Sequence, residues 1–442
     1  LEGPQELPCA TIPVAPVLGK ELTIGSKTYY RGIIRHAHDA QMMHNFWLPI
    51  CLKTPIPTPT GWTTMGSVQE GDQVFDEQGQ ACNVVGKSPV HINRKCFRVE
   101  FDDGSHIIAD KQHPWMVEER GKKISAGYDW QSRKISTGEI EPGKHFIWAT
   151  SPIENEEADL TIDPYLLGYW LGDGNADAMS FTVDHKDVEE VRQRFRDRGH
   201  NLGDVHNAKR EGDAATFSVK EMMPALRETG LVGNKHIPQS YLRASRQQRL
   251  DLLRGLMDTD GAISTKYACT FHNTNDAIVE GLTELLRSFG IKSRTYKREG
   301  RVSYLADGHR ITSGDINQVC FTPQDDVIFS LSRKANIQRQ KPAGHNRRTK
   351  RYGIKSVTPV ESVPVQCIAV DSANHLFLAG PSMIPTHNTA ATEKVALAPK
   401  APWVAPAESI EGFENEWQQA NRKNLSVLRY RALPDVQPPY RS

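Results

Sequence analysis

The pattern of apolar and polar positions divides the chain into stretches of different period. Residues 20 to 35, KELTIGSKTYYRGIIR, alternate around a Gly-Ser pair, which predicts a half-buried hairpin. Asp39 then stands where it can cap a helix through AQMMHNFWL, apolar at 42, 43, 46 and 47, and Pro49 stops that helix. From there to about residue 150 the sequence reads as short strands and turns, as in DQVFDEQGQACNVV and CFRVEFDDGSHIIAD. Residues 155 to 320 alternate long helical stretches with short strands, as in DVEEVRQRFRDRG, SRQQRLDLLRGLMDTDG and DAIVEGLTELLRSFGI. β-type sequence returns at VESVPVQCIAVDSANHLFLAG, and after Thr389 helix formers resume in TAATEKVALAPK before a polar, proline-rich tail.

The predicted order is nested: a helix broken, a β module opened, an α/β module inserted, the β module closed, the helix resumed. Joining Leu48 to Thr389 gives HNFWLTAATEKVALAPKAP, one amphipathic helix stopped by Pro399. Joining Ile50 to Thr389 leaves Pro49 inside that helix, at a cost of roughly 3 kcal/mol. Helix chemistry therefore favours a boundary between Leu48 and Pro49.

Composition changes this picture little. A chain of 442 residues with 38% hydrophobic and 24% charged positions has room for two to four domains. The formal charge of +1 confines nucleic-acid binding to local patches. No run of apolar residues is long enough to span a bilayer and LEGPQELPCA lacks a signal-peptide pattern, so the expectation is a cytoplasmic protein with no membrane partner. Leu1 in place of Met suggests a fragment. The seven cysteines, at 9, 51, 82, 96, 269, 320 and 367, form no CxxC pair and read as reduced thiols.

The segment MIPTHNT carries chemistry. The Asn388 amide can attack its own carbonyl, giving a succinimide and breaking the bond to Thr389, with His387 as acid or base and the Thr389 hydroxyl able to hold an acyl group. Three blocks in order, TPIPTPTGWTTMGSVQEGD, DDGSHIIADKQHPW and VQCIAVDSANHLFLAGPSMIPTHNT, resemble the terminal blocks of inteins, the self-splicing elements of the all-β Hint fold. The resemblance covers 49 to about 150 and 355 to 388. It makes Pro49, which carries no nucleophile, the first residue, and puts Cys51 third, at a non-catalytic position. Trp115 in HPW, Cys367 in VQCIAV and Thr389 match the signature of class 3 inteins. That resemblance implies attack by the Cys367 thiolate on the Leu48 carbonyl, transfer of the acyl group to Thr389, and cyclisation of Asn388, with no cofactor. It makes His113 the acid for the departing Pro49 nitrogen, His375 an aid to the Asn388 step, and Trp115 a positioning group. The sequence departs from the family at Asp110, three before His113, where Thr is usual. Two other readings stay open: a structural subunit with a splicing-dead insertion, or a Hint domain that cleaves without ligating.

Inside the insert, YLLGYWLGDGNAD and LLRGLMDTDGAIS place Gly168 and Gly172, and Gly255 and Thr259, four apart on one helix face. Close approach of two such faces brings Asp173 and Asp260 together, a pair able to hold a divalent cation. These motifs resemble the LAGLIDADG (DOD-type) homing endonucleases over about 155 to 330, which implies a Mg2+-dependent nuclease acting on double-stranded DNA, the insert-free allele of the host gene. NKHIPQSYL matches the segment that carries the family's catalytic lysine, here Lys235; Asp258 is expected to be solvated or to aid the metal. Two basic stretches suit phosphate contacts: Lys292, Arg294, Lys297 and Arg298, with Tyr296 among them, and Arg347, Arg348, Lys350 and Arg351.

The flanks, KTYYRGIIRHAHDAQMMHNFWL, TAATEKVALAPKAPWV and GFENEWQQANRKN, resemble a tailed-phage portal protein of the podovirus type. This implies a homo-oligomeric portal ring, assembled in the infected cell and carried in the virion. The expected division is 1–48 and 389–442 portal-like, 49–154 and 355–388 the two parts of the β-rich splicing domain, 155–330 an α/β endonuclease, and 331–354 a basic linker or DNA-contact segment.

Overall fold

The computed structural model describes residues 20–24, 27–31, 48–124, 127–175, 180–206, 214–219, 222–300, 302–304, 310–312, 314–342 and 349–387. The chain divides into two compact units, Leu1–Trp47 with Ala390–Ser442, and Leu48–Thr389. Of the first, the hairpin of β1 (Lys20–Ile24) and β2 (Lys27–Arg31) is described, with Lys20 opposite Arg31. The helices expected on either side of the insert, together with Arg347, Arg348, Asn388 and Thr389, lie outside the described residues.

The second unit opens with a β-rich run: β3 (Ile50–Cys51), β4 (Cys96–Phe101), β5 (His106–Asp110), β6 (Pro114–Ile124), β7 (Gly127–Ser136) and β8 (His145–Trp148). An α/β segment follows with α1 (Pro164–Asp173), α2 (Arg246–Thr259), β9 (Gly261–Ile263), β10 (Cys269–Asn273), α3 (Asp276–Ser288), β11 (Ser293–Arg298), β12 (Ile316–Phe321) and α4 (Ser332–Arg339). Four strands close the unit: β13 (Arg351–Val360), β14 (Val365–Gln366), β15 (Leu376–Ala379) and β16 (Ile384–His387).

Strands from both ends of the unit share one eight-stranded antiparallel sheet, in the order β7–β6–β8–β13–β4–β5–β3–β14. Its alternating apolar positions, among them Val99, Phe101, Ile107, Trp115 and Ile147, fill one core with Tyr352, Ile354 and Phe377. The α/β segment has its own core around Tyr165, Tyr169, Phe181, Phe195, Leu252 and Leu256, and an open sheet in the order β9–β10–β12–β11. Its ends are neighbours, because Trp148 of β8 pairs with Arg351 of β13. At that seam the buried Arg351 guanidinium sits 4.1 Å from the Trp130 ring centre and 4.0 Å from that of Trp148, and meets Glu118 at 3.3 Å.

Caps start the helices that matter. Asp163 accepts from the Leu166 N–H at 2.9 Å ahead of α1, with Pro164 at the first turn, and Ser245 with Gln248 forms a capping box on α2. The two helices then cross at their glycines. A Cβ on Gly168 would fall inside contact distance of the Leu252 carbonyl oxygen, one on Gly255 would strike the Tyr165 carbonyl oxygen, and one on Gly172 would strike the Thr259 hydroxyl. The first two obstacles are backbone and cannot rotate away. Gly168→Ala should therefore destabilise the α/β segment by about 1–3 kcal/mol, read as a lowered urea midpoint. An unchanged midpoint would mean that the helices are not held at this separation.

Candidate functional sites

Two clusters hold most of the residues singled out by sequence. The first lies where β3, β5 and β14 meet. Val365 is opposite Cys51 and Gln366 opposite Ile50, while Ile50 faces Ala109 on the other side, and the Asp110 N–H donates to the Pro49 carbonyl at 3.0 Å. One rung further along the β3–β14 register, Cys367 falls opposite Pro49. There the chain leaves the ladder, because the Cys367 N–H donates to Ser88 Oγ at 3.0 Å and its carbonyl accepts from the Ser88 N–H at 2.9 Å. Cys367 is buried, and its thiol donates to the Ile368 carbonyl at 3.3 Å.

His113 grips the adjoining bond. Its Nδ1 lies 2.5 Å from the Leu48 carbonyl oxygen and its Nε2 lies 2.5 Å from Thr386 Oγ1. A carbonyl oxygen only accepts, so the single proton of a neutral ring sits on Nδ1, and Nε2 accepts from the Thr386 hydroxyl. Burial lowers the His113 pKa to about 4; the bond to Leu48 opposes this and the nearby His387 adds to it. Its resting contact is thus to the carbonyl oxygen rather than to the Pro49 nitrogen. Trp115, fully buried, sets its ring edge to face at 5.0 Å from that of His113, and its Nε1–H donates to Thr137 Oγ1 at 3.0 Å. Thr137 in turn donates from both hydroxyl and N–H to the His113 carbonyl. Asp110 points its carboxylate away, to Arg94 at 2.7 Å and the Gln112 N–H at 2.8 Å. His375, in a left-handed conformation (φ 56°), brings its ring centre to 6.5 Å from that of His387. Thr137 carries no motif that sequence reasoning could have picked out, and Thr386, although inside MIPTHNT, was given no role there. Cys51 is a buried side chain of β3.

The second cluster lies at the C-terminal ends of α1 and α2. Asp173 is the last residue of α1 and Asp260 caps α2. Burial, reinforced by the charge of Asp260, raises the Asp173 pKa to about 6; burial also raises that of Asp260, against a 2.7 Å bond from the Asn273 amide. Each helix end is held by a lysine. Lys235 donates to the carbonyls of Trp170 (2.8 Å) and Gly174 (2.6 Å), and Lys334 to those of Met257 (3.0 Å), Asp258 (2.7 Å) and Gly261 (2.6 Å). Burial lowers both pKa values to about 8, against the pull of neighbouring carboxylates. Lys334 was missed because it sits in a basic run. A signal was present: on a helix it shares a face with Leu331 and Gln338, three and four positions away.

Other expectations are corrected. Asp258 is neither solvated nor free for a metal: it is buried and accepts from the Tyr165 hydroxyl and the Ser330 and Leu331 N–H groups. The expected linker contains α4, whose Arg333 pairs with Asp187 at 2.6 Å. Arg351, stacked and buried, has no face left for a phosphate, and Lys292 is spent on Asp102 (2.7 Å) and the Arg351 carbonyl (2.8 Å). Arg294, Lys297 and Arg298 remain exposed on the edge strand β11, with Tyr296, and Lys350 pairs with Asp325 at the surface. Among the described residues no group of three or more His, Cys, Asp or Glu is placed to hold a metal. Asp173 and Asp260 fit a divalent cation as a two-carboxylate set, with hard oxygen donors whose raised pKa values a positive charge would relieve. No helix among them is long and apolar enough to cross a membrane.

Comparison with known proteins adds to this geometry. The LAGLIDADG-like domain family matches residues 247–324, from α2 through β12, and the phage P22-like portal protein family matches residues 1–52. The LAGLIDADG-like match takes in Asp260 at the end of α2, while Asp173, Lys235 and Lys334 lie outside it; the same chain carries a portal-protein segment. The replicative DNA helicase DnaB of Mycobacterium intracellulare is 33% identical over 362 residues, 77% of this chain and 58% of that protein, so the chain spans a little over half of its length. The replication factor C small subunit of Methanocaldococcus jannaschii is 24% identical over 247 residues, 52% of this chain and 12% of that protein. The DNA polymerase of Thermococcus hydrothermalis is 22% identical over 330 residues, 67% of this chain and 19% of that protein. Among solved structures, the MchDnaB-1 intein is similar at 18% identity over 77% of this chain and 99% of that one, with a TM-score of 0.25. Variants of the homing endonuclease I-DmoI are similar at 13% identity over 41% of this chain and 98% of that one, with a TM-score of 0.27.

The low pKa of His113 fixes a sign. The unfolded chain takes up this proton near pH 6.5 and the folded one only near pH 4, so His113 leaves stability flat above pH 6.5 and lowers it as pH falls towards 4. The loss attributable to it should approach about 3 kcal/mol. Urea midpoints of the wild type and His113→Gln across this range should diverge at the acid end, the wild type falling more steeply; parallel curves would mean that the ring is solvated.

Proposed function

We propose that this chain is the precursor of a self-splicing protein: residues 49–388 excise themselves as an intein-like element and join Leu48 to Thr389 within a portal protein, and the insert carries a DNA endonuclease. The observation that carries this reading is the His113 Nδ1–H on the Leu48 carbonyl oxygen, at the one bond where helix chemistry places a junction. The relatives point the same way. They bear three different names, a replicative DNA helicase, a replication factor C small subunit and a DNA polymerase, as expected of a mobile insert carried in different hosts.

In this mechanism the Cys367 thiolate attacks the Leu48 carbonyl carbon. Negative charge gathers on the oxygen that His113 already holds, a preformed donor in a water-poor site. The C–N bond then breaks, the Pro49 nitrogen takes up a proton, and Leu48 is left as a thioester. Trp115 and Thr137 fix the ring plane and backbone of His113, so their contribution is orientation. The Thr389 hydroxyl takes the acyl group and releases the thiolate. The Asn388 side-chain amide then attacks its own carbonyl carbon, with His387 and His375 serving the proton transfers. The succinimide leaves with the insert, and the ester shifts to the Thr389 amine as an ordinary peptide bond.

For the endonuclease, Asp173 and Asp260 would hold Mg2+, which supplies charge neutralisation and an activated water at the phosphodiester. Lys235 and Lys334 orient the two helix ends and place positive charge beside the phosphate. The exposed β11 cations, Arg294, Lys297 and Arg298, would contact the backbone of double-stranded DNA.

Expression of the full chain followed by mass spectrometry tests the splicing claim. A ligated product containing FWLTAATE is expected from the wild type and from Cys51→Ala, and none from Cys367→Ala. Persistence of full-length wild-type chain would refute it. His113→Ala should slow the appearance of thioester at least 100-fold, the usual scale for one lost oxyanion donor.

The nuclease is tested separately by nicking of an uninterrupted portal gene. Mg2+-dependent cleavage should fall at least 100-fold in Asp173→Asn while splicing is unchanged. Equal cleavage by this variant would remove the acid pair from the reaction.

A further inference from the structure

Neither of the two clusters uses a cavity of about 560 Å3 in the Leu48–Thr389 unit, between the β-rich part and the α/β segment. Its walls come from β3 and the residues after it (Cys51, Lys53, Pro55), from the β4–β5 turn and β5 (Asp103, Ser105, His106, Ile108), from Pro381, and from Arg287, Ser293 and Thr295 of α3 and β11. Two buried polar atoms on these walls have no hydrogen-bond partner: Ser293 Oγ, on a residue 3% exposed, and Arg287 Nε. The rest of the Arg287 guanidinium is only loosely used, donating to the Pro381 carbonyl at 3.2 Å and standing 4.0 Å from Asp103. The one wall carboxylate, Asp103, is already occupied by the Ser105 hydroxyl and N–H and by the Ser382 hydroxyl at 2.6 Å. Lys53 is exposed at the rim, with no hydrogen bond or ion pair among the described residues.

Buried donors without acceptors cost free energy in an empty site, of the kind an acceptor-only ligand removes. Two cations and unused donors against one satisfied carboxylate select an oxyanion. The volume exceeds what a bare phosphate fills and lies within the range of small-molecule sites, while Pro55, Ile108 and Pro381 offer an apolar wall for a carbon body. We propose that this cavity binds a small phosphate monoester, its phosphoryl group on Lys53, Arg287 and the Ser293 hydroxyl, and its organic part against Pro55, Ile108 and Pro381. Such a ligand would bridge the two parts of the unit. Every wall residue lies between 49 and 388, so the site is the same before and after any excision, and the proposal stands or falls independently of splicing.

Isothermal titration of the full chain with inorganic phosphate, adenosine 5′-monophosphate and adenosine, at constant ionic strength, tests it. Saturable 1:1 binding of the monophosphate is expected, at least tenfold tighter than inorganic phosphate, with no binding of adenosine. Lys53→Ala, which removes an exposed, unpaired side chain and leaves packing untouched, should weaken it at least fivefold, and Ser293→Ala should weaken it as well. Inorganic phosphate binding as tightly as the monophosphate would overturn the monoester assignment. Absence of saturable binding by either anion, or equal affinity in wild type and Lys53→Ala, would overturn the site.

Discussion

The pairing of residues 146–148 of β8 with the start of β13 is the constraint on which the rest of the Leu48–Thr389 unit depends. It makes neighbours of the two ends of a long α/β insertion, so the eight-stranded sheet continues across it as across a hairpin. Loop-closure entropy grows only slowly with length, which leaves the sheet nearly indifferent to what hangs between those strands. Everything at the junction follows from this closure. His113 and Thr386 are 273 positions apart yet share a hydrogen bond, and β3 and β14, two residues each, pair because the sheet has already brought the chain ends together. The Arg351 guanidinium between two tryptophans locks the seam, and Glu118 at 3.3 Å offsets part of the cost of burying its charge.

Both sites use burial to set charge, in opposite directions. At the junction, burial keeps His113 neutral with its one proton committed to a carbonyl oxygen. At the helix ends, the glycine contacts press two carboxylates into a half-buried space, while each lysine answers the carbonyls of its own helix terminus, where the dipole is negative. The lysines therefore stabilise the helix ends and set the field around the acids at once. Removing either would move both properties.

Much of this was legible because it is written in short-range spacing. The four-residue intervals of small residues, Gly to Gly on α1 and Gly to Thr on α2, the Asp-Gly ends and the return of β-type sequence after residue 355 each depend on neighbours in the chain. What stayed hidden depends on neighbours in space. Lys334 and Arg351 stand in a run with no acidic residue, which reads as a solvated phosphate-binding face; the acceptors that bury them, the carbonyls after α2 and Glu118 with its tryptophans, lie far away in sequence. Thr137 is likewise silent, since nothing in ISTGEI announces a clamp on His113. The direction of the His113 bond was also beyond sequence reading, because spacing gives the residue and not which ring nitrogen faces which atom.

The seam at Trp148 and Arg351 has a consequence for inheritance. A deletion in the gene that removed the α/β segment and left a tight turn between those strands would preserve every rung of the sheet and both rings around the guanidinium. The groups lost with it would be ties between the two parts, such as the buried Arg243 bond to the Gly61 carbonyl at 3.1 Å, whose acceptor would then face water. The two parts of the Leu48–Thr389 unit can thus have separate genetic fates: the sheet keeps its rungs whether or not the α/β segment is retained.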